Sequence, residues 1–231
     1  MEDVLDLYEA APDPQRPRLG FDERPCQLIG QIVAPLPIKP GRVKREDNEY
    51  KRNGTAVVLL AYDPDSGRRF VEVRKRRTKA DYADFMYRLV KEHYANVKQI
   101  RLVQDNLNPH SYGSFYEHLE AQTAHWLKNK IEFHFTPKQG SWLNMAELEL
   151  SALSRQCLDR RIESKEALAH EARAWEQQRH ERGVKLSWSF TTTVAREKLK
   201  RHYDNLKPKN YLGQALVHIS WSRSGWDRLV L

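Results

Sequence analysis

Cysteine is scarce in this chain: Cys26 and Cys157 are the only two among 231 residues. Two cannot build a disulfide framework, and neither has a Cys-x-x-Cys neighbour. Both read as small apolar residues in a reduced, cytosolic protein. Long apolar runs are also missing. No stretch approaches the roughly 20 residues that span a bilayer, and the acidic start, Met1-Glu2-Asp3, lacks the apolar core of a signal peptide. Nor is there a glycine-rich phosphate loop, a serine nucleophile elbow or a His-Glu-x-x-His pair. His110 and His134 stand alone and read as loop or core histidines.

What the chain has in excess is positive charge. Lys and Arg number 39 against 31 Asp and Glu, a formal charge of +8 and a pI near 9.4. Such a balance favours a polyanionic partner, nucleic acid before a membrane. The length suits one sizeable domain with appendages, and no internal repeat is visible.

Residues 1–17 read as a lead-in, since three prolines between 10 and 17 exclude regular structure there. A first strand runs from Arg18 to Asp22, and 28–33 extends an edge or begins a loop. Residues 34–53, rich in proline and charge, form an insertion with little to bury. The β-branched and apolar run 55–62, a turn at 63–67 and the alternating run 70–73 make a hairpin. Thr78 and Asp81 form a capping box for a helix carrying Tyr82, Phe85, Met86, Leu89 and Val90 on one face. There follow a strand at 100–105, a helix bearing Phe115, Leu119, Trp126 and Leu127, a short strand at 131–135 and a helix over about 141–161. A polar helix from Ser164 stops at Gly183, and a basic one spans 194–202. The pattern is mixed α/β. The first and fourth strands are expected side by side and parallel, because a long crossover separates them, with their C-terminal ends at one sheet edge.

Three acids meet that expectation. Asp22 and Asp105 each end a short apolar run, and Glu147 lies early in the 141–161 helix. Glu23 competes with Asp22; alternation along a strand lets only one of them join Asp105. Glu149 competes with Glu147, about 200° away around the helix. Met145, Leu148 and Ala152 put Glu149 on a packing side, whereas Ser151 and Ser154 accompany Glu147, which is preferred. Three carboxylates gathered without a cation repel one another and take up protons. A magnesium-type site, built from oxygen ligands for phosphodiester displacement, is the simplest reason to hold them together.

These residues resemble a family. Phe21-Asp22-Glu23 with Gln27-Leu28-Ile29-Gly30, then Val103-Gln104-Asp105-Asn106-Leu107-Asn108, then the long run from Thr136 through Trp142-Leu143-Asn144-Met145-Ala146-Glu147 resemble the three acid motifs of bacterial insertion-sequence transposases of the mariner-type DDE superfamily. Met145-Ala146 stand where eukaryotic relatives have Pro-Ile, and this alignment places the third acid at Glu147. The resemblance implies a ribonuclease-H-like mixed sheet flanked by helices. It also implies two Mg2+ or Mn2+ ions held by Asp22, Asp105 and Glu147, cleavage at transposon ends and strand transfer into target DNA. It further implies a bacterial, nucleoid-associated protein that dimerises on double-stranded DNA. By the same resemblance, the segment 34–53 is expected to take the place of a loop that clamps the partner subunit in mariner-type relatives. Arg42, Lys44, Arg45, Lys138, Trp142 and Asn144 are the candidate DNA contacts. The expected organisation is a lead-in at 1–17, a catalytic domain at 18–161, a helical extension at 162–203 and an atypical tail at 204–231. The helix-turn-helix module usual ahead of the family's catalytic domain is not expected in this chain. A catalytically idle DNA-binding or dimerising fragment, or a stand-alone metal nuclease, is the alternative reading.

Overall fold

The structure is a computed structural model and describes residues 1–32, 41, 48–138, 140–201 and 204. Most of the 34–53 insertion, with Arg42, Lys44 and Arg45, and all of the 204–231 tail except Asp204 lie outside the described residues. The chain divides into Met1–Thr192 and Thr193–Leu231. What is described of the second unit is essentially one short helix, α7 (Thr192–Lys198), from its second residue on, and a few residues after it. Among the described residues no helix is long and apolar enough to cross a membrane.

The first unit is built on a five-stranded sheet. Its strands are β1 (Arg18–Gln31), β2 (Tyr50–Asp63), β3 (Arg68–Arg74), β4 (Ile100–Gln104) and β5 (Ile131–Phe135), in the order β3-β2-β1-β4-β5. β1, β2 and β3 pair antiparallel, whereas β4 lies parallel to β1 and β5 parallel to β4. Long crossovers make those parallel pairs possible. β1 and β2 are longer than expected: β1 continues unbroken beyond Asp22 and β2 begins at Tyr50, inside the expected insertion. A register shift at Leu28/Ile29 absorbs the irregularity of this long ribbon.

Alternation along the strands sends Leu19, Phe21, Val57, Leu59 and Ala61 to one face. There they meet α2 (Lys79–His93), α3 (Tyr112–His118) and α4 (Ala121–Lys130) in the main core. Phe21 is fully buried, with ring centres 5.4 Å from Tyr82 and 5.3 Å from Phe85. Burying such a side chain contributes about 1.5–3 kcal/mol. Thr78 and Asp81 close the capping box of α2 reciprocally, as their spacing predicts. The helix expected across 115–127 is two helices, broken at Leu119 and Glu120, whose extended backbone turns the chain between them.

On the other sheet face lie α5 (Met145–Gln156) and α6 (Lys165–Glu181). α5 is shorter than the 141–161 expected. A 3-10 turn at Ser141–Leu143 precedes it, and Asn144 caps it by accepting the Ala146 amide. Ser164 caps α6 by accepting Ala167 N–H, and Gly183, at φ +60°, ends the run in a conformation that costs glycine little.

The lead-in contains a helix, α1 (Glu2–Glu9), that turn-forming prolines further on did not foretell. Val4, Leu5, Leu7 and Tyr8 are buried, and the Tyr8 hydroxyl donates to the Leu143 carbonyl at 2.9 Å. The N-terminal segment thus braces the turn that leads into α5.

Candidate active site

The last parallel pair between β1 and β4 is Gly20 with Val103. Asp22 and Asp105 each stand two residues beyond it, so the two carboxylates leave the same sheet edge. Asp22 shares the face of Gly20, because side chains alternate. Gly20 is where α5 arrives: a Cβ added there would lie 2.8 Å from Asn144 Oδ1 and 3.1 Å from the Ala146 amide nitrogen. Asn144 locks that approach. Its Nδ2 donates to the Phe21 carbonyl at 2.7 Å while its Oδ1 accepts Ala146 N–H at 3.1 Å. Glu147, in the first turn of α5, is thereby carried to Asp22. Asp22, Asp105 and Glu147 line one cleft of about 390 Å³, together with Arg24, Thr136 and Ser151.

Gly20→Ala should therefore cost about 1–3 kcal/mol, since neither backbone nor cap can retreat. Urea unfolding checks this; an unchanged midpoint would show that α5 can shift away freely.

The cleft is acidic at its centre. Asp22 is pushed up to about 7 from an ordinary 3.8: burial is the largest cause, and the charges of Asp105, Glu23 and Glu147 add to it, against the Glu23 N–H that donates to Asp22 Oδ1. Glu147 Oε2 is buried with no hydrogen-bond partner. All-oxygen donors, a carboxylate disfavoured as an anion and an orphaned buried oxygen suit a hard divalent cation such as Mg2+ or Mn2+. Among the described residues no three His, Cys, Asp or Glu side chains are already drawn together as a metal cage. The acids share a cleft rather than a finished shell.

Of the two competing acids, Glu149 leaves the cleft, whereas Glu23 lines it together with Asp22, although only one of that pair was expected there. Glu149 is fully buried and points away. Arg69 grips it at 2.7 and 2.8 Å, and Arg179 adds a contact at 3.0 Å. It is a buried ion cluster. Leu148, expected on the packing side with it, is instead 40% exposed. Glu23 sits at the cleft wall, but its Oε2 is 2.9 Å from His110 Nε2, and its Oε1 has the Arg77 guanidinium 3.7 Å away.

His110 is the residue that sequence reasoning underrated. It is 1% exposed, 5.0 Å from the Tyr82 ring and 5.3 Å from that of Phe21. Its Nδ1 donates to the Asp105 carbonyl oxygen at 3.1 Å and makes an ion-pair contact with Asp105 Oδ1 at 2.5 Å. Burial opposes a charged ring here, but the hydrogen bonds and charges of Asp105 and Glu23 outweigh it and push the imidazole up to about 9. The Asp-Asn-x-x-x-His spacing was the available signal. His134 instead pairs with Asp3 at 2.9 Å.

Of the candidate DNA contacts, Lys138 and Trp142 are exposed on the approach to α5. Asn144 is not available. It is 1% exposed with both ends of its amide bonded, so its role is to fasten α5 to β1. Arg24 at the cleft rim was not anticipated.

Comparison with known proteins follows the same lines. A family model described as DDE superfamily endonuclease matches residues 17–169. The Mos1 mariner paired end complex with Mn is 16% identical at a TM-score of 0.52, covering 78% of this chain and 54% of that chain. The Mos1 strand transfer complex is 15% identical at 0.52, with coverage of 78% and 54%. The Mos1 transposase paired-end complex with left transposon end is 15% identical at 0.51, with 78% and 55%. At these identities the likeness is one of fold, the ribonuclease-H-like mixed sheet. The chain spans just over half the length of those mariner chains. Among curated proteins, none matches the sequence.

Proposed function

The chain belongs to the DDE superfamily endonucleases, and from that premise we propose that it is the catalytic domain of a transposase, cutting transposon-end DNA and joining it to target DNA. The observation that supports this reading is the convergence of Asp22, Asp105 and Glu147 on one cleft from three separate elements. These carboxylates would hold divalent ions, Mg2+ or Mn2+. Such ions supply activation of the attacking oxygen and stabilisation of the leaving oxygen in an in-line displacement.

The rest is done by the chain itself. Three carboxylates alone would repel a phosphodiester, so Arg24 at the rim and Lys138 on the adjoining turn supply the charge that lets DNA approach. Thr136 borders the same cleft from the end of β5, and Asn144 holds α5 in register so that Glu147 faces Asp22. The overall charge of +8 favours duplex DNA as partner and salt-sensitive binding. Assembly as a dimer on paired DNA ends is part of the proposal, and the mariner neighbours, described as paired-end complexes, support its DNA half.

A nicking assay on duplex DNA tests the proposal. Cleavage should require Mg2+ or Mn2+ and fall to background when the ion is chelated. DNA binding without any ion-dependent cleavage would leave an idle binding fragment instead.

A further inference from the structure

The proposed function uses three acids, yet two further titratable groups beside them, Glu23 and His110, are linked in a way the acids alone do not explain. Glu23 is on β1, next to Asp22 but on the opposite strand face. Its side chain is 3% exposed and reaches His110. His110 lies six residues beyond the end of β4, at the end of the loop into α3, and reaches back to Asp105. The ring cannot swing: Tyr82 lies against it and Phe21 meets it edge-on. Tyr82 is itself pinned by the hydrogen bond from its hydroxyl to Gln104 Oε1, 2.7 Å long. The Gln104 amide in turn donates to the His110 carbonyl at 3.3 Å.

We propose that Glu23 and His110 form a positioning pair: Glu23 anchors the ring, and the ring fixes Asp105 so that one carboxylate oxygen is held and the other is left to face the cleft. Asp105 needs such help. It lies past the end of β4, its side chain is 37% exposed, and the next residues, Asn106 to Pro109, form no regular element. A carboxylate so placed samples several rotamers unless something buried holds it. The neighbours of a ligand commonly orient it in this way, and their loss costs about 10- to 100-fold in metal affinity or activity. Glu23 therefore acts through His110 and not as a fourth ligand, which explains why an acid stands beside Asp22 on the face that carries the aromatic core.

The inference rests on the proposed ion site, and the test separates the two. Divalent-ion affinity is measured by calorimetry on the DNA-free protein, with Mn2+ as probe, and thermal unfolding is recorded alongside. Asp105→Asn should abolish measurable binding; if it does not, the ion-site reading itself fails. Given that result, His110→Ala and Glu23→Leu should each weaken Mn2+ binding about 10-fold or more. Glu23→Gln, which still offers an oxygen to His110 Nε2, should stay within about 3-fold of the wild type. Should His110→Ala not fold, the contrast between Glu23→Leu and Glu23→Gln decides alone. If Glu23→Gln loses as much affinity as Glu23→Leu, Glu23 is itself a ligand and the pair is overturned. If Glu23→Leu binds like the wild type, Asp105 needs no anchor and the pair is overturned as well.

Discussion

Glu147→Gln should leave the protein folded but slow ion-dependent DNA cleavage about a thousandfold, whereas Glu149→Gln should fail in the opposite way. The two acids sit two residues apart on one helix, yet their surroundings differ completely. Glu147 has a buried oxygen with no protein partner, so neutralising it removes a group that the fold does not use. Its loss falls on catalysis. A bound ion supplies several kcal/mol of transition-state stabilisation, and about 1.4 kcal/mol is tenfold in rate. Glu149 has three donor contacts from Arg69 and Arg179 and no exposure at all. Breaking one side of a buried ion cluster strands the other, at about 3–5 kcal/mol. A domain has only about 5–15 kcal/mol in total. Urea unfolding and the nicking assay, run on both variants, give a crossed pattern. If instead Glu149→Gln folds normally and loses cleavage, the third acid has been placed on the wrong face of α5.

Asp22→Asn should stabilise the ion-free protein, and more so at high pH. The folded carboxyl sits near 7, above its ordinary 3.8, chiefly because it is buried and secondarily because Asp105, Glu23 and Glu147 surround it. A folded pKa raised above the unfolded one means that the native state binds the extra proton. The group's contribution is thus fully present below about pH 4 and is lost as pH rises toward 7. Above 7 the wild type carries the whole cost of a buried charge and the Asn variant carries none. At about 1.4 kcal/mol per unit over the two units from pH 5 to 7, the advantage of the variant should be about 2.5–3 kcal/mol greater at pH 8 than at pH 5. Chemical denaturation at the two values, in the presence of a chelator, measures it. An advantage that does not change with pH would mean that Asp22 is an ordinary exposed acid. Mn2+ should reverse the ranking by binding the wild type alone.

Local chemistry made much of this molecule legible in its sequence. The Thr78–Asp81 box, the Ser164 cap and the Gly183 stop are short-range signals, and each stands where its residues place it. So does the parallel pairing of β1 with β4, because an apolar run ending in an acid has few places to go in a mixed sheet. What could not be read depended on partners distant in sequence. Asn144 resembles a surface amide until Phe21 is seen to accept its hydrogen bond. Glu149 resembles a spare acid until Arg69, 80 residues away, closes on it. His110 reads as a loop histidine because its two acids come from separate places, Glu23 from β1 and Asp105 from just beyond β4. The helix in the lead-in was hidden for a related reason: its apolar residues are too few to declare themselves until the turn before α5 gives them a surface to cover.

The shared edge of β1 and β4 has a consequence for how the protein comes into being. Strand β1 emerges early in synthesis, yet its parallel neighbour β4, which brings Asp105, is made some eighty residues later, and the helix bearing Glu147 later still. Pairings this remote close slowly and only after the intervening chain exists. A half-made chain on the ribosome therefore carries Asp22 with nothing to cut. On the proposed reading, the cleft that would hold the ions is complete only once α5 has left the exit tunnel and docked against β1, so cleavage has to wait for that step.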